Sequence, residues 1–313
     1  IQMKKGFVLI STLALIVILS FLVLIISRTI YTDTLKTSVF ANSIEKRIEL
    51  INTEKLLIDI LISNSDRLRN AKLGEGELNF IINSKIPDLR IELTDLSTCF
   101  NLNSLVKPFR NIYVKNDLHG ELFKNFLRVN EIDRNKHREF LDLLYDSLDS
   151  DSLPEPFGAE DLFYVANDSL SLSPDQLYIH KSQIKNLSFL GGNELLQIYS
   201  NICTLPNTDL FFNINGLNEN NYLVLLSMSP DLSLNDIEKI IINRPPEGYI
   251  NYQSLIELSG INEDRINKSL LIYKPEYLQI HYTFDLEGQF FHFYSVISLK
   301  TRNNNIIHRS TSL

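Results

Sequence analysis

The sequence predicts an α+β protein in which one long N-terminal helix leads into an antiparallel sheet, and a large helical insertion interrupts that sheet. Three observations predict this. Residues 7–26 are uncharged and mostly apolar, and they directly follow Lys4-Lys5-Gly6. Segments alternating strictly between apolar and polar residues occur at 89–93 and again from 278 onward. Between them, apolar residues recur at helical spacing in short blocks, separated by linkers rich in Ser, Asn, Asp and Pro.

At 1.5 Å of rise per residue, residues 7–26 reach about 30 Å, the thickness of a bilayer's hydrocarbon core. Lys4 and Lys5 bias the near end toward the cytoplasm, which places the rest of the chain across the membrane. A cleavable secretory signal would have a shorter apolar core with a small residue after it. Here the small residue is Gly6, on the near side, so cleavage there would leave the helix in the mature protein, starting at Phe7. Ile1 and Gln2 precede Met3, the expected natural start.

Neither glycine nor proline occurs from Phe7 to Leu73, and Leu35, Val39, Ile44, Ile48 and Ile51 recur three to five positions apart. One helix therefore continues to about Leu61, with an amphipathic outer half. Gly74-Glu75-Gly76 ends the helical region. Extended segments follow at Leu78 to Ile82 and Leu89 to Leu93, the second alternating with Arg90 and Glu92. Helices are expected at Glu121 to Val129, Lys136 to Leu148, Asn218 to Met228, Leu234 to Ile242 and Glu263 to Ile272. Alternation returns at Leu278, Ile280, Tyr282, Phe284 and Leu286, turns at Glu287-Gly288 and runs on through Phe290 to Leu299, a hairpin pattern. The early and late strands should share one sheet. The expected organisation is a leader at 1–6, the helical region at 7–73, a first sheet segment at 74–110, the insertion at 111–275, the last strands at 276–301 and a frayed polar tail at 302–313.

The chain of 313 residues is long enough for more than one packed unit. Its 30 basic and 38 acidic side chains give a net charge of −8, which disfavours a phosphate backbone as the principal partner. The two cysteines, Cys99 and Cys203, both fall on the side of the membrane where disulfides persist, and their number and compartment favour a pair. The six histidines are scattered, and neither G-x-S-x-G nor H-E-x-x-H occurs, so no enzyme is expected.

Two sets of residues point to a family. Lys4-Lys5-Gly6 followed by the helix resembles the class III signal that prepilin peptidase processes in type IV pilins and pseudopilins. The glutamate those proteins carry at the fifth mature position is Ser11 here. Five further patterns then follow in one order. They are Asp95 with Cys99-Phe100-Asn101-Leu102-Asn103; Asp146-Ser147-Leu148-Asp149-Ser150-Asp151 with Gly158-Ala159-Glu160-Asp161 and Tyr164; Cys203-Thr204-Leu205-Pro206 with Asn213-Ile214-Asn215; Arg244-Pro245-Pro246-Glu247-Gly248-Tyr249; and Leu255 to Ile261 around Gly260. Together they resemble the minor pseudopilin K family of type II secretion systems, in which the missing glutamate is characteristic. Ser147 and Tyr249 stand where that family has tryptophan, and Gly216 where it has threonine, which removes a capping hydroxyl.

The resemblance implies a pilin-like fold, a long transmembrane helix plus an antiparallel sheet, whose all-α insertion contains a helix-hairpin-helix-like unit. It implies cleavage between Gly6 and Phe7 with methylation, a single-pass place in the inner membrane with the soluble domain in the periplasm, and assembly at the pseudopilus tip with pseudopilins I, J and H. It also implies a Cys99–Cys203 disulfide and a structural calcium ion held by Asp146, Asp149, Asp151, Glu160 and Asp161. Alone, an Asp-rich loop reads as a solvated turn. Five carboxylates with almost no neighbouring base nevertheless make a hard oxygen donor set suited to calcium, with backbone carbonyls near Leu153 as further donors. Asp146, beside the departing Ser147, is expected to be the ligand most free to swing to solvent. Glu257, Glu263 and Asp264 around the hairpin oppose DNA binding. Two alternatives stand: a minor pilin of a type IV pilus or competence system, and a signal-anchored periplasmic calcium-dependent hydrolase.

Overall fold

The computed structural model describes residues 2–64, 68, 90–167, 172–187, 192–286, 289–300 and 305–312. The expected strand at 78–82 and the turns at Gly74-Glu75-Gly76 and Glu287-Gly288 lie outside the described residues. Two compact units are present, Ile1–Asp59 and Ile60–Leu313.

The first unit is helical. Helix α1 (Gln2–Ser63) is continuous, as a stretch without glycine or proline after Gly6 allows, and Val8–Ser38 is long and apolar enough to cross a membrane. Several of its hydroxyls bond within the helix. Ser11 donates to Val8 O at 2.9 Å, Thr12 to Leu9 O at 2.9 Å, Ser20 to Ile16 O at 2.8 Å and Thr29 to Ile25 O at 3.0 Å. Such back-bonding is what a polar group needs where no water is available.

The second unit carries a four-stranded antiparallel sheet of β1 (Arg90–Asp95), β8 (Tyr277–Leu286), β9 (Gln289–Ser298) and β10 (Ile306–Ser312), in the order β1-β8-β9-β10. The expected union of early and late strands is present. Ile91 opposes Tyr282, which opposes Phe293, and all three are buried on one face. Glu92, His281, Tyr294 and Ser310 line up on the other face. The tail was expected to fray. Instead β10 pairs with β9, and its polar composition hid it because an edge strand with one wet face needs little apolar alternation.

Between β1 and β8 lie β2 (Phe100–Asn101), β3 (Val106–Phe109), β4 (Ile112–Lys115), α2 (Asp117–Val129), α3 (Arg134–Leu148), α4 (Asp161–Ala166), α5 (Gly192–Tyr199), β5 (Ile202–Cys203), β6 (Phe212–Asn213), α6 (Tyr222–Met228), α7 (Leu234–Ile242), α8 (Tyr252–Ser259) and β7 (Leu271–Ile272). The insertion is thus mainly, not wholly, helical. The helix expected at 263–272 is replaced by two 3-10 turns, Glu263–Arg265 and Lys268–Leu270, followed by β7. Asn262 and Asn267 each accept from an N–H two residues on, and this side-chain competition stops the helix at every turn. Gly260 ends α8 in the left-handed region at φ 68°, as the hairpin pattern required, but a 3-10 turn rather than a second α-helix follows.

The insertion is built from two modules of one design. In each, a two-residue parallel bridge, β2 with β5 or β6 with β7, starts from a Phe-Asn-x-Asn sequence. In the first module Asn103 donates to Tyr178 O at 2.8 Å and Leu205 O at 2.7 Å, and accepts from Tyr178 N–H at 2.9 Å. In the second, Asn215 donates to Tyr249 O and Tyr273 O at 2.8 Å each, and accepts from Tyr249 N–H at 2.7 Å. Two residues after each clamped tyrosine a capping box starts a helix, His180 with Gln183 and Asn251 with Ser254. Phe100, Phe123 and Phe126 fill the first module with ring centroids 5.2–5.9 Å apart, and α2 packs on both α3 and α6 to join the modules in one core.

The insertion leaves and returns at one place, because Asp95 at the end of β1 opposes Leu278 near the start of β8. Ser97 Oγ accepts from Glu276 N–H at 2.9 Å and Tyr277 N–H at 3.3 Å, and Asn213 Nδ2 donates to Asp95 Oδ2 at 2.7 Å. Burial pushes the Asp95 carboxyl up to about 6 despite these bonds. Cys99 and Cys203 form a disulfide with Cα atoms 5.7 Å apart, beside this neck. Gly216 has a purpose other than a lost cap: a Cβ there would stand 2.5 Å from Thr98 Cγ2 and 3.0 Å from Asp95 Oδ2.

Candidate metal centre

Helix α3 delivers the site. Its Asp133 cap accepts from Asn135 N–H, and its last turn closes with Asp149 N–H donating to Tyr145 O at 2.8 Å. The following loop is pinned by acids of the same helix. Asp146 accepts from Glu155 N–H through both carboxylate oxygens, at 3.0 and 3.1 Å, and Asp142 Oδ2 accepts from Phe157 N–H at 3.2 Å. Ser150 exchanges bonds with Tyr113 on β4, and Lys115 pairs with Glu155. Gly158 passes so close that a Cβ would lie 1.9 Å from Asp146 Oδ2.

This folding brings Asp149, Asp151 and Glu160 together, with one carboxylate oxygen from each lying within 4.8 Å of the others. Asp149 and Glu160 are buried, 3% and 4% exposed, while Asp151 is open to solvent and accepts from Leu153 N–H at 2.9 Å. Asp149 Oδ1, Glu160 Oε1 and, close by in the chain's return, Asp175 Oδ1 are buried with no hydrogen-bond donor among the described residues. Orphaned buried carboxylate oxygens are costly and rare. Burial first, then the charges of Asp151 and Asp146, pushes Asp149 up to about 7. Burial and then Asp175, Asp146, Asp149 and Asp151 push Glu160 up to about 8. Asp146 rises to about 6, through burial and the charges of Glu155 and Asp142.

Three converging carboxylates with unused oxygens fit a hard divalent cation, and the all-oxygen set suits calcium. Of the five residues expected as ligands, the fold gathers Asp149, Asp151 and Glu160. Asp146 and Asp161 lie outside this group. Asp146 organises the loop and, against the expectation that it swings to solvent, is wholly buried. Asp161 opens α4 and accepts from Ser173 N–H at 3.1 Å. Asp175, held at φ 46°, was missed because it lies well beyond the acidic stretch and only the chain's return brings its charge to Glu160. Ser147 is buried, hydrogen-bonds the Tyr178 hydroxyl, and borders a cavity of about 80 Å³ lined also by Tyr164, Leu172, Pro174 and Leu187. Gly6 and Phe7 lie within α1.

A membrane-length helix, an antiparallel sheet and a two-module insertion loaded with carboxylates define a pilin-like protein with an enlarged head. The family model "Type II secretion system (T2SS), protein K" matches residues 98–207. A candidate type II secretion system protein K of Escherichia coli (strain K12) is 22% identical over 81% of this chain and 79% of its own length. The type II secretion system protein K of Aeromonas hydrophila is 25% identical over 50% of this chain and 49% of its own length, so the chain spans about half of that relative. A chain in the crystal structure of the GspK-GspI-GspJ complex from enterotoxigenic Escherichia coli shares the fold, with a TM-score of 0.71, 16% identity, and coverage of 89% of this chain and 99% of that one. The chain is thus similar to type II secretion system protein K over its middle third by family model and over most of its length by fold.

Proposed function

We propose that this protein is the minor pseudopilin K that caps the tip of a type II secretion pseudopilus, supporting protein export across the outer membrane. The carrying observation is the two-module insertion, which enters and leaves the sheet between neighbouring strands. A subunit stacked above would meet this mass. Ser11 supports the same placement, since its hydroxyl bonds to Val8 O and offers no carboxylate to pair with a neighbour's amine. The role is structural. Pseudopilins I and J, which share a complex with the GspK-like neighbour, are the proposed direct partners, and H follows below them. Prepilin peptidase cleaves after Gly6 and the new Phe7 terminus is methylated. The apolar helix holds the protein in the inner membrane with its head in the periplasm, and calcium sits among Asp149, Asp151 and Glu160 as a structural ion.

The test is made in cells that contain prepilin peptidase and the partner pseudopilins. Intact-mass analysis is expected to show a chain starting at Phe7, and affinity capture to recover I and J in fixed proportion. Retention of Met3 to Gly6, or absence of both partners, would overturn the reading.

A further inference from the structure

The polar face of the sheet holds a second cluster, unrelated to the acidic loop. His281 on β8 is fixed from two sides. Its ring stacks on Tyr294 of β9 with centroids 4.4 Å apart and planes within 3°, and its Nδ1 lies 3.3 Å from Glu92 Oε2 on β1. The hydrogen bond to His281 is the first cause that holds the Glu92 carboxyl below its usual range. With Nδ1 carrying the proton toward Glu92, Nε2 is the lone-pair nitrogen. That atom lies 3.0 Å from His292 Nδ1, and Thr283 Oγ1 lies 3.3 Å from each of the two nitrogens.

We propose that His281 and His292 form a binding site for a divalent transition metal such as zinc, with Glu92 holding His281 in its ligating orientation. The three donor atoms make a triangle with edges of 3.0, 3.3 and 3.3 Å. Ligands about 2.0–2.1 Å from a tetrahedral zinc stand about 3.3 Å apart, so the triangle already has nearly the bite of one tetrahedral face. The metal takes the place of the hydrogen bond between the two imidazoles, and the His292 proton passes from Nδ1 to Nε2, so that both rings ligate as neutral imidazoles. Thr283 or a water completes that face, and water takes the outward position, since His281 is partly open, with 20% side-chain exposure. The carboxylate, histidine and metal arrangement is the usual way a protein orients a ligating imidazole. Imidazole nitrogen selects zinc, copper or nickel rather than calcium, so this site and the acidic loop differ in the ions they take.

The full-length chain in detergent, with calcium supplied in excess to occupy the acidic loop, is titrated with Zn²⁺ by calorimetry. One saturable equivalent is expected. His281→Ala and His292→Ala weaken it at least about tenfold and Glu92→Gln by roughly 10- to 100-fold, whereas Asp149→Ala with Asp151→Ala leaves it unchanged. Co²⁺ added to the unaltered chain gives a readout independent of any variant, the absorption of a nitrogen-ligated ion. Absence of saturable zinc binding, an affinity in both histidine variants unchanged from the unaltered chain, loss confined to the aspartate variant, or a cobalt spectrum identical to the aqueous ion would each overturn the proposal.

Discussion

The first module of the insertion and the second share a clamp, a bridge and a capping box, yet they differ in what spans the gap between the second helix and the clamped tyrosine. After α7 the chain needs only residues 243–248, a turn through Pro245, Pro246 and Gly248 at φ 77°, to reach Tyr249. After α3 it takes residues 149–177, carrying the acidic group and α4, before it reaches Tyr178. Both tyrosine hydroxyls nevertheless end on the preceding helix: Tyr249 donates to Ile240 O at 2.8 Å, and Tyr178 bonds with the Ser147 hydroxyl. A clamp made by one buried asparagine fixes its tyrosine whatever intervenes, which leaves the connecting loop free to acquire an ion site. Loop-closure entropy grows slowly with length, so the long connection carries little extra penalty.

The largest expected effect tests the clamp itself. Asn103→Ala and Asn215→Ala each strand two carbonyls and an N–H, and should destabilise by roughly 3–5 kcal/mol in denaturant unfolding. Tolerance at one position with collapse at the other would show that the modules are not equivalent. Next comes the feature confined to the first module's end. Loss of the Cys99–Cys203 disulfide, which closes a separation of 104 residues, should cost about 2–4 kcal/mol. Two free thiols in denatured, unreduced protein would remove it from the account.

Calcium should act only through the long loop. Supplied at about 100 times its dissociation constant it should stabilise by about 2.7 kcal/mol, seen as a raised thermal midpoint that Asp149→Ala with Asp151→Ala abolishes. The pH dependence sharpens this. Asp149 and Glu160 stand at about 7 and about 8 in the folded chain, above the unfolded values of about 3.9 and 4.3. The folded state therefore holds more protons across roughly pH 4 to 8, so chelated protein should lose stability as pH rises through that window. The gain from calcium, which binds the deprotonated groups, should be greatest at its upper end. A calcium effect that shrinks with rising pH would count against the site. The smallest effect is that of Tyr178→Phe and Tyr249→Phe, about 1 kcal/mol each and alike in calorimetric melts.

Much of this was legible where a single physical signal dominates. Length and lack of charge exposed α1, strict alternation exposed β8 and β9, and Gly260 marked the end of α8. The acidic stretch named three residues that the fold brings together, because carboxylates carried on one short loop stay close in space. It did not show that Asp146 and Asp161, expected beside them, have oxygens that accept from backbone N–H groups. Asp175 depended on the chain's return, and β10 on pairing rather than pattern. The duplicated clamp was written in plain view, as Phe-Asn-Leu-Asn and Phe-Asn-Ile-Asn. Each copy reads as ordinary turn chemistry until its partners far along the chain are known.

The neck at Asp95 and Leu278 has a mechanical consequence. Because the insertion departs and returns across one cross-strand pair, the sheet treats it as an oversized hairpin loop, and a change in its size leaves the strand register untouched. Ser97, the Asp95–Asn213 bond and the disulfide together bridge that junction at several points instead of one. A thrust applied along the strands would therefore reach the head through a braced collar, not a pivot, and displacement of the sheet would become displacement of the whole load above it.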